Sequence, residues 1–189
     1  MRFPLADMLG FLASVAILAA YHAFLRARLR DDPRYTVQAV ITAVRVRWVE
    51  QVMATRDHGI LAVQTLRNSI MGATFLASTA ILLVIGTLTL SGQGDNLHRT
   101  WQSLDALATP ERDVWMVKLL LLLLDFIVAF FSFCMSIRLM HHVGYMIGDT
   151  GAGGDVSATY AATTLNRAGA YYAAGMRAYY FSEIGRAHV

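Results

Sequence analysis

Three long apolar stretches constrain this chain more than any other feature of its sequence. Residues 8–25 and 70–90 contain no Asp, Glu, Lys or Arg, and residues 114–137 contain only Lys118 and Asp125. About 20 helical residues, at roughly 1.5 Å each, cross a hydrocarbon core of about 30 Å. Each stretch is therefore long enough for a membrane span. The sequence predicts an all-α fold, a transmembrane helical bundle with three spans in this chain.

The composition excludes several other classes of protein. Of the 189 residues, 56% are hydrophobic and 15% are charged, whereas about a quarter of the residues are charged in soluble domains. The single cysteine, Cys134, excludes a disulfide scaffold and a CxxC zinc module. The net charge of +3 is too small and too scattered for a nucleic-acid footprint. We therefore expect one integral membrane domain and no nucleic-acid partner.

The distribution of arginine predicts the orientation of the spans. Eight arginines lie between the first and second stretches, and only two lie between the second and third, among four acidic residues. Cytoplasmic loops carry the excess of Lys and Arg. The N-terminus and residues 91–113 are therefore predicted outside, and the arginine-rich segment and the chain after Arg138 inside. The expected location is a bacterial inner membrane, with the first stretch kept as an anchor because it lacks a small-residue cleavage site.

Two further segments have helical character. From Pro33, apolar residues recur at steps of three and four, which predicts an amphipathic helix at the cytoplasmic surface. Residues 57–59 break that helix, and a second one is expected to run from Ile60 into the second span. Residues 157–182 lack a continuous apolar stretch long enough to span a membrane, and their tyrosines suit the membrane interface. The first helix carries this apolar stripe: Val37, Val40, Ile41, Val44, Trp48 and Val52.

The last seven residues, EIGRAHV, fit nothing before them. They correspond to one translated frame of a widely used sequencing adaptor. We expect the native domain to cover residues 1–182 and residues 183–189 to be a non-native tail. A fourth apolar span is then expected after Phe181 in the complete gene.

Several short motifs resemble the membrane family known as domain of unknown function 599, and the resemblance covers residues 1–182. It implies a four-span protein whose last span follows the motif at residues 177–181. One departure is His141, where Asn is expected, so that His142 is the matching histidine. The resemblance implies no activity. The motifs are Tyr21-His22, AVQTLRN at 62–68, FFSF at 130–133, SIR at 136–138, Leu165-Asn166 and RAYYF at 177–181.

Asp125 is the most informative candidate site residue, because a carboxylate in mid-membrane is costly and usually faces protein or water. Lys118 and Ser132 share its helical face at steps of seven, and Ser136 lies close by. Lys118 is two turns, roughly 10 Å, away. One hypothesis is a proton or cation site between helices. The other is a structural charge that is hydrogen-bonded or protonated.

Two histidines are candidate ligands. His22 ends the first span and His142 ends the third, and both ends are predicted to be cytoplasmic. Such a pair of histidines can ligate a haem iron or a metal. They can equally cap their helix C-termini, where the helix dipole favours a partly charged imidazole. No HExxH motif or cysteine partner is present, so we predict no metal and no cofactor, with haem or metal as the alternative.

Four polar residues are predicted to enter the membrane from the cytoplasmic side. A ring of arginines at one depth can bind a lipid phosphate or an anionic solute. Snorkelling and the positive-inside rule also place arginines there, without any ligand. The four residues are Arg67, Asn68, Arg138 and Arg177.

Taken together, these features favour a non-enzymatic membrane protein that scaffolds or assists a larger assembly or binds lipid. Its expected partners are membrane lipids and a homo-oligomer or other membrane subunits. The chain has no pattern of Ser, His and Asp or of paired carboxylates that indicates hydrolysis. The alternative is a small proton- or ion-coupled transporter that uses Asp125. A third hypothesis is a haem- or metal-binding redox protein.

Overall fold

Four helices make up the described part of the chain. A computed structural model describes residues 36–55, 59–92, 112–148 and 156–184, together with scattered helical positions between 16 and 30. These ranges contain no strand, which confirms the predicted all-α class. The chain forms two compact units, Met1–Arg45 and Val46–Val189. The helices are α1 (Val37–Ala54), α2 (Gly59–Gly92), α3 (Arg112–Gly148) and α4 (Ala158–Ile184).

Two of these helices, α2 and α3, are long and apolar enough to cross a membrane. They contain the predicted second and third spans. At 34 and 37 residues they are about 50 Å long, which exceeds a hydrocarbon core of about 30 Å. Each helix therefore continues as a helix beyond any apolar layer. The predicted first span, residues 8–25, lies mostly outside the described residues.

The helix α1 packs only along its second half. Thr36 caps its N-terminus, because the Thr36 Oγ1 accepts a hydrogen bond from the Ala39 N–H at 3.3 Å. Val37, the first residue of the predicted stripe, is 75% exposed, and Val40, Ile41 and Val44 are exposed as well. The stripe is therefore buried only towards its end, at Val52, together with Val49, which the stripe did not include. The predicted break is confirmed, since α1 ends at Ala54 and α2 begins at Gly59.

One apolar core joins all four helices, and we call it the four-helix core. It brings the end of α1 and the start of α2 against the end of α3 and the start of α4. Small alanine side chains let these backbones approach closely. Its buried residues are Val49, Val52, Ala62, Leu66, Val143, Ile147, Ala161, Ala162 and Leu165.

A second core, the three-helix core, joins α2, α3 and α4 farther along. Phe133 fills it and is fully buried, and alanines from the three helices surround that ring. Half-buried tyrosines of α4, Tyr172 and Tyr179, pack against it. Its buried residues are Ala77, Ala80, Ala129, Phe133 and Ala178.

The packing of α4 differs from the prediction of an interfacial helix. In the four-helix core its start lies beside the end of α3, and in the three-helix core its later turns lie beside Ala129. Thus α4 runs antiparallel along α3 for most of its length. The inward positions of α3 alternate in steps of three and four, as in left-handed helix pairs. They are Phe126, Ala129, Phe133, Ser136, Met140, Val143 and Ile147.

Candidate functional site

A buried hydrogen bond sets the register between α3 and α4. The Ser136 Oγ donates to the Ala168 carbonyl oxygen at 2.9 Å, and both residues are fully buried. Ser136 was predicted as an intramembrane polar residue, and the structure assigns it this contact between helices. Because the helices are antiparallel, residues after 136 in α3 lie level with residues before 168 in α4.

This register places two arginines at nearly the same level along the α3–α4 pair. Arg138 follows Ser136 by two residues and Arg167 precedes Ala168 by one. At about 1.5 Å per residue, they lie roughly 3 Å and 1.5 Å from the bonded pair, on the same side of it. Both side chains are exposed.

A third arginine, on α2, lies at a similar level. Arg67 follows Leu66, which packs in the four-helix core together with Leu165 of α4. Arg167 lies two residues after Leu165, in a helix that runs in the same direction as α2. The Leu66 Cδ1 lies 4.0 Å from where a Cβ on Gly144 of α3 would stand, and Gly144 follows Arg138 by six residues. Arg67 is therefore within about two helical turns, roughly 10 Å, of Arg138 in level. We call Arg67, Arg138 and Arg167 the arginine band; Asn68, also exposed, adjoins it.

Arg177, the predicted α4 member of the ring, lies at another level. It follows Ala168 by nine residues, about 14 Å along the helix. Its neighbour Ala178 packs in the three-helix core against Ala129. The structure thus groups Arg67 and Arg138 with Arg167 and places Arg177 apart. The likeness between TLRN at 65–68 and TLNR at 164–167 is the sequence signal that points to Arg167.

The other predicted intramembrane polar residues lie in different surroundings. Asp125 is half-buried and makes no hydrogen bond or ion pair with the described part of the chain. Ser132 is half-buried as well, and Lys118 is exposed. Lys118 precedes Arg138 by 20 residues, which is about 30 Å of helix. Together with buried Ser136, these residues do not form one polar cluster.

Most hydroxyl groups of α2 bond within their own helix. The Thr65, Thr74 and Thr79 hydroxyls donate to the carbonyl oxygens of Leu61, Ile70 and Phe75, each four residues earlier, at 2.8–2.9 Å. Such back-bonding satisfies a hydroxyl in an apolar setting. These threonines therefore need no partner on another helix, and they provide none for Asp125.

Aromatic rings of α3 and α4 pack against each other beside α2. The Phe133 ring centroid lies 5.6 Å from that of Tyr172 and 5.8 Å from that of Tyr179. The Tyr179 hydroxyl donates to the Leu76 carbonyl oxygen of α2 at 3.0 Å. A Cβ on Gly175 would lie 2.8 Å from Phe133 Cε1, so the ring lies directly against the α4 backbone. Two of the predicted interfacial tyrosines are therefore packing residues.

The histidine pair is not tested by the described residues. His142 is exposed near the end of α3, next to exposed His141. His22 lies outside the described residues. Within the described part of the chain, no group of three or more His, Cys, Asp or Glu side chains is placed to hold a metal ion. Ligation of haem or metal by His22 and His142 stays a prediction.

One charge on α1 is partly withdrawn from water. The Arg45 Nη1 is buried and has no hydrogen-bond partner in the described residues. This burial lowers the pKa of the Arg45 guanidinium below its ordinary value. Arg45 is therefore not a freely solvated cation of the arginine-rich segment.

Residues 9–184 match a family model described as "Protein of unknown function, DUF599". No curated protein and no solved structure matches the chain.

Proposed function

The chain belongs to the DUF599 family, and we propose that it is an integral membrane protein whose arginine band binds the phosphate headgroups of anionic lipids. The proposed role is non-enzymatic and needs no cofactor: the protein scaffolds or assists a membrane assembly. The Ser136–Ala168 hydrogen bond carries the proposal, because it sets arginines of two helices at one level. Arg67 of α2 adds a third exposed arginine within about two helical turns of that level.

The outward surface of α3 supports a membrane boundary at this level. The turns before Arg138 expose apolar side chains, among them Leu120, Val128 and Phe131. From Arg138 onward the same surface exposes His142 and Tyr145. An apolar surface that ends in Arg, His and Tyr is typical of the change from hydrocarbon to headgroups.

The opposite boundary follows from Lys118. It is exposed about 30 Å before Arg138 along α3, and about 30 Å is the thickness of a hydrocarbon core. A lysine there extends its ammonium to the second interface. Lys118 and Arg138 thus bracket one bilayer thickness, with the arginine band at the end that the positive-inside rule assigns to the cytoplasm. The proposal includes an N-terminus outside and a location in a bacterial inner membrane.

Guanidinium groups suit the proposed ligand. Arginine binds phosphate oxygens through two parallel N–H donors, and cytoplasmic leaflets carry anionic lipids. Each basic residue near such a surface contributes about 1 kcal/mol. Three arginines on adjacent helices therefore favour anionic lipid over zwitterionic lipid at this level.

The test measures retained lipid. Native mass spectrometry of the detergent-solubilised full chain compares phosphatidylglycerol with phosphatidylcholine, for the natural chain and for Arg67→Gln, Arg138→Gln and Arg167→Gln combined. We expect the triple variant to lose at least about tenfold in phosphatidylglycerol retention, with phosphatidylcholine unchanged. Arg47→Gln, which removes an exposed arginine of α1, is the matched control and keeps retention.

Two results contradict the proposal. One is equal retention of both lipids by the natural chain. The other is an equal loss of phosphatidylglycerol retention from Arg47→Gln and from each of Arg67→Gln, Arg138→Gln and Arg167→Gln made singly. That result would mean that only the total charge of the protein matters. Inorganic phosphate at millimolar concentration serves as a separate arm. Displacement of phosphatidylglycerol by phosphate assigns the band to a soluble anion instead of a lipid.

A second candidate function is a proton- or ion-coupled transporter. The observation that favours it is Asp125, half-buried between apolar neighbours and without a partner in the described residues. In proteoliposomes, Asp125→Asn abolishes ion or proton flux at unchanged folding if Asp125 is a transport site. If the natural chain shows no flux, this candidate fails.

A further inference from the structure

Exposed arginines and tyrosines are paired on α3 and on α4. On α3, Tyr145 follows Arg138 by seven residues, and on α4, Tyr160 precedes Arg167 by seven residues. Seven residues fall about 20° short of two full turns, so the members of a pair lie on one side of their helix, with Cα atoms about 10 Å apart. All four side chains are exposed. We call Arg138 with Tyr145, and Arg167 with Tyr160, the Arg–Tyr pairs.

The two pairs lie at matching levels. Counted from the Ser136–Ala168 hydrogen bond, the arginines are two residues and one residue away, and the tyrosines are nine and eight residues away, all on the same side of it. Both arginines are therefore within about 3 Å of that bond in level, and both tyrosines lie about 12–14 Å beyond it. Two neighbouring antiparallel helices thus repeat one arrangement, with an arginine at the proposed membrane boundary and a tyrosine two turns farther from the hydrocarbon.

The surface of α3 that leads to its pair is apolar. Phe131, Leu124 and Val117 precede Arg138 at steps of seven, and all three are exposed. One line along α3 therefore runs from apolar side chains through a guanidinium to a phenol. A phospholipid has the same order, from acyl chains through the phosphate to the alcohol of its headgroup. The line accordingly fits one lipid molecule that lies along α3.

In each pair one side chain is expected to lean towards the other. The side chains of a helix tilt towards its N-terminus. Tyr145 therefore leans towards Arg138 on α3, and Arg167 leans towards Tyr160 on α4, since the two helices run in opposite directions. A phosphate ester between guanidinium and phenol can then be held at both ends.

The chemistry of the pairs favours a headgroup that carries hydroxyl groups. A guanidinium binds phosphate oxygens, and a phenol both donates and accepts hydrogen bonds, as an alcohol does. An ammonium headgroup needs a carboxylate instead, and residues 59–92, 126–148 and 156–182 contain no Asp or Glu. Glu50 of α1, next to buried Val49, is the one carboxylate of the described helices near this level, and it belongs to neither pair.

We propose that the Arg–Tyr pairs select, among lipids of equal charge, those with a hydroxyl-bearing headgroup, the phosphate on the arginine and a headgroup hydroxyl on the tyrosine. Phosphatidylglycerol is such a lipid. The selection rests on the proposed binding of anionic lipid by the arginine band, and it names the headgroup class bound there. Arg67 differs from the pairs, because Ile60, 75% exposed, is the residue seven positions before it. The helix α2 therefore contributes charge without this selection.

Competition between two lipids of equal charge tests the proposal. Native mass spectrometry of the full chain compares phosphatidylglycerol with phosphatidylethanol, which has the same phosphodiester charge and no headgroup hydroxyl. We expect the natural chain to retain phosphatidylglycerol about threefold to tenfold better, the effect of about one hydrogen bond. Tyr145→Phe combined with Tyr160→Phe should remove this preference. Tyr171→Phe, which removes an exposed tyrosine hydroxyl on the hydrocarbon side of Arg167, is the matched control and keeps the preference.

Other results of this competition overturn the proposal. They are equal retention of the two lipids by the natural chain, a preference that survives in the double variant, and an equal loss of preference in Tyr171→Phe. If both anionic lipids are still retained over phosphatidylcholine, only the headgroup selection fails; if they are not, lipid binding by the arginine band fails as well. Glycerol 3-phosphate at millimolar concentration carries phosphate and hydroxyls without acyl chains. Displacement of phosphatidylglycerol by it assigns the pairs to a soluble ester and also overturns the proposal.

A third pair can be built on α2, which tests the spacing by a gain of selection. Ile60→Tyr places a phenol seven residues before Arg67, at a position that is already exposed. We expect the preference for phosphatidylglycerol over phosphatidylethanol to rise about twofold further. Leu61→Tyr, at the next exposed position and about 100° around the helix, is the matched control and leaves the preference unchanged. No rise for Ile60→Tyr, or an equal rise for both variants, overturns the claim that a two-turn spacing makes the site.

Discussion

The helices α3 and α4 lie side by side and turn different surfaces outward. In α3 the outward positions Leu120, Val128 and Phe131 are apolar until Arg138. In α4 the outward positions beside this apolar part include Ala170 and Arg177. A continuous apolar surface fits lipid chains, whereas a surface of small and charged residues fits protein. The two helices thus differ in outward composition where they lie at one level.

The inward surfaces of the same helices are complementary in size. The inward surface of α3 includes large side chains, whereas that of α4 is mostly small, and Phe133 of α3 packs directly on Gly175 of α4. One hydrogen bond, from Ser136 to the Ala168 carbonyl, connects them at the level of the arginine band.

The largest expected effect comes from a charge on the apolar outward surface of α3. Val128 lies ten residues, about 15 Å, from Arg138 and is exposed. Val128→Lys should oppose insertion by about 2.5–3.5 kcal/mol, and Ala170→Lys on α4 by clearly less, because the outward surface of α4 around it already bears Arg167 and Arg177. The inserted fraction in an alkaline-extraction assay measures both, with Val128→Leu as control. Equal loss of the inserted fraction for the two lysine variants would contradict a difference between the outward surfaces of α3 and α4.

A smaller effect is expected where the two inward surfaces meet. Gly175→Ala places a methyl group 2.8 Å from the buried Phe133 ring, and such overpacking costs about 1–3 kcal/mol. Thermal unfolding in detergent should show a lower midpoint for Gly175→Ala. Gly72→Ala on α2, where an added Cβ meets nothing within 4 Å, is the matched control and should be neutral or stabilising. Phe133→Leu should partly rescue Gly175→Ala; no rescue rejects the contact as the cause.

The smallest effect concerns the hydrogen bond that sets the register. Ser136→Ala removes the donor to the Ala168 carbonyl, and the loss of one such bond costs about 0.5–1.5 kcal/mol. Ser69→Ala, whose hydroxyl is exposed and bonds the Thr65 carbonyl of its own helix, should change the unfolding midpoint less. If Ser69→Ala lowers the unfolding midpoint as much as Ser136→Ala does, the hydrogen bond between helices stabilises the fold no more than one within a helix.

The sequence was sufficient for α2 and α3, because long apolar runs leave few alternatives to a helix. It predicted the helix α4 correctly but not its packing, since the buried positions of α4 include Ala161, Ala168 and Gly175. Small residues contribute little to hydropathy, yet they permit close helix packing. The tyrosines of α4 were predicted at the membrane interface, but Tyr172 and Tyr179 pack between helices. A ring with a hydroxyl suits both positions equally well.

The candidate site was only partly accessible from the sequence. Arg67 and Arg138 were found from charge placement, but the choice between Arg167 and Arg177 depends on the level of α4 against α3. That level is set by a contact between Ser136 and Ala168, 32 residues apart in sequence. No local pattern encodes such a register.

The account depends most on the claim that the arginine band marks a membrane boundary. Spin labels on α3 test it directly, at Phe131→Cys and at Tyr145→Cys in a Cys134→Ser background, in phosphatidylglycerol-containing vesicles. Arg138 lies midway between them, about 10 Å from each. We predict that the Phe131 label collides mainly with oxygen dissolved in the bilayer, and the Tyr145 label mainly with a water-soluble nickel complex. Equal access of the nickel complex to both labels would contradict the account, because α3 would then cross no boundary at Arg138.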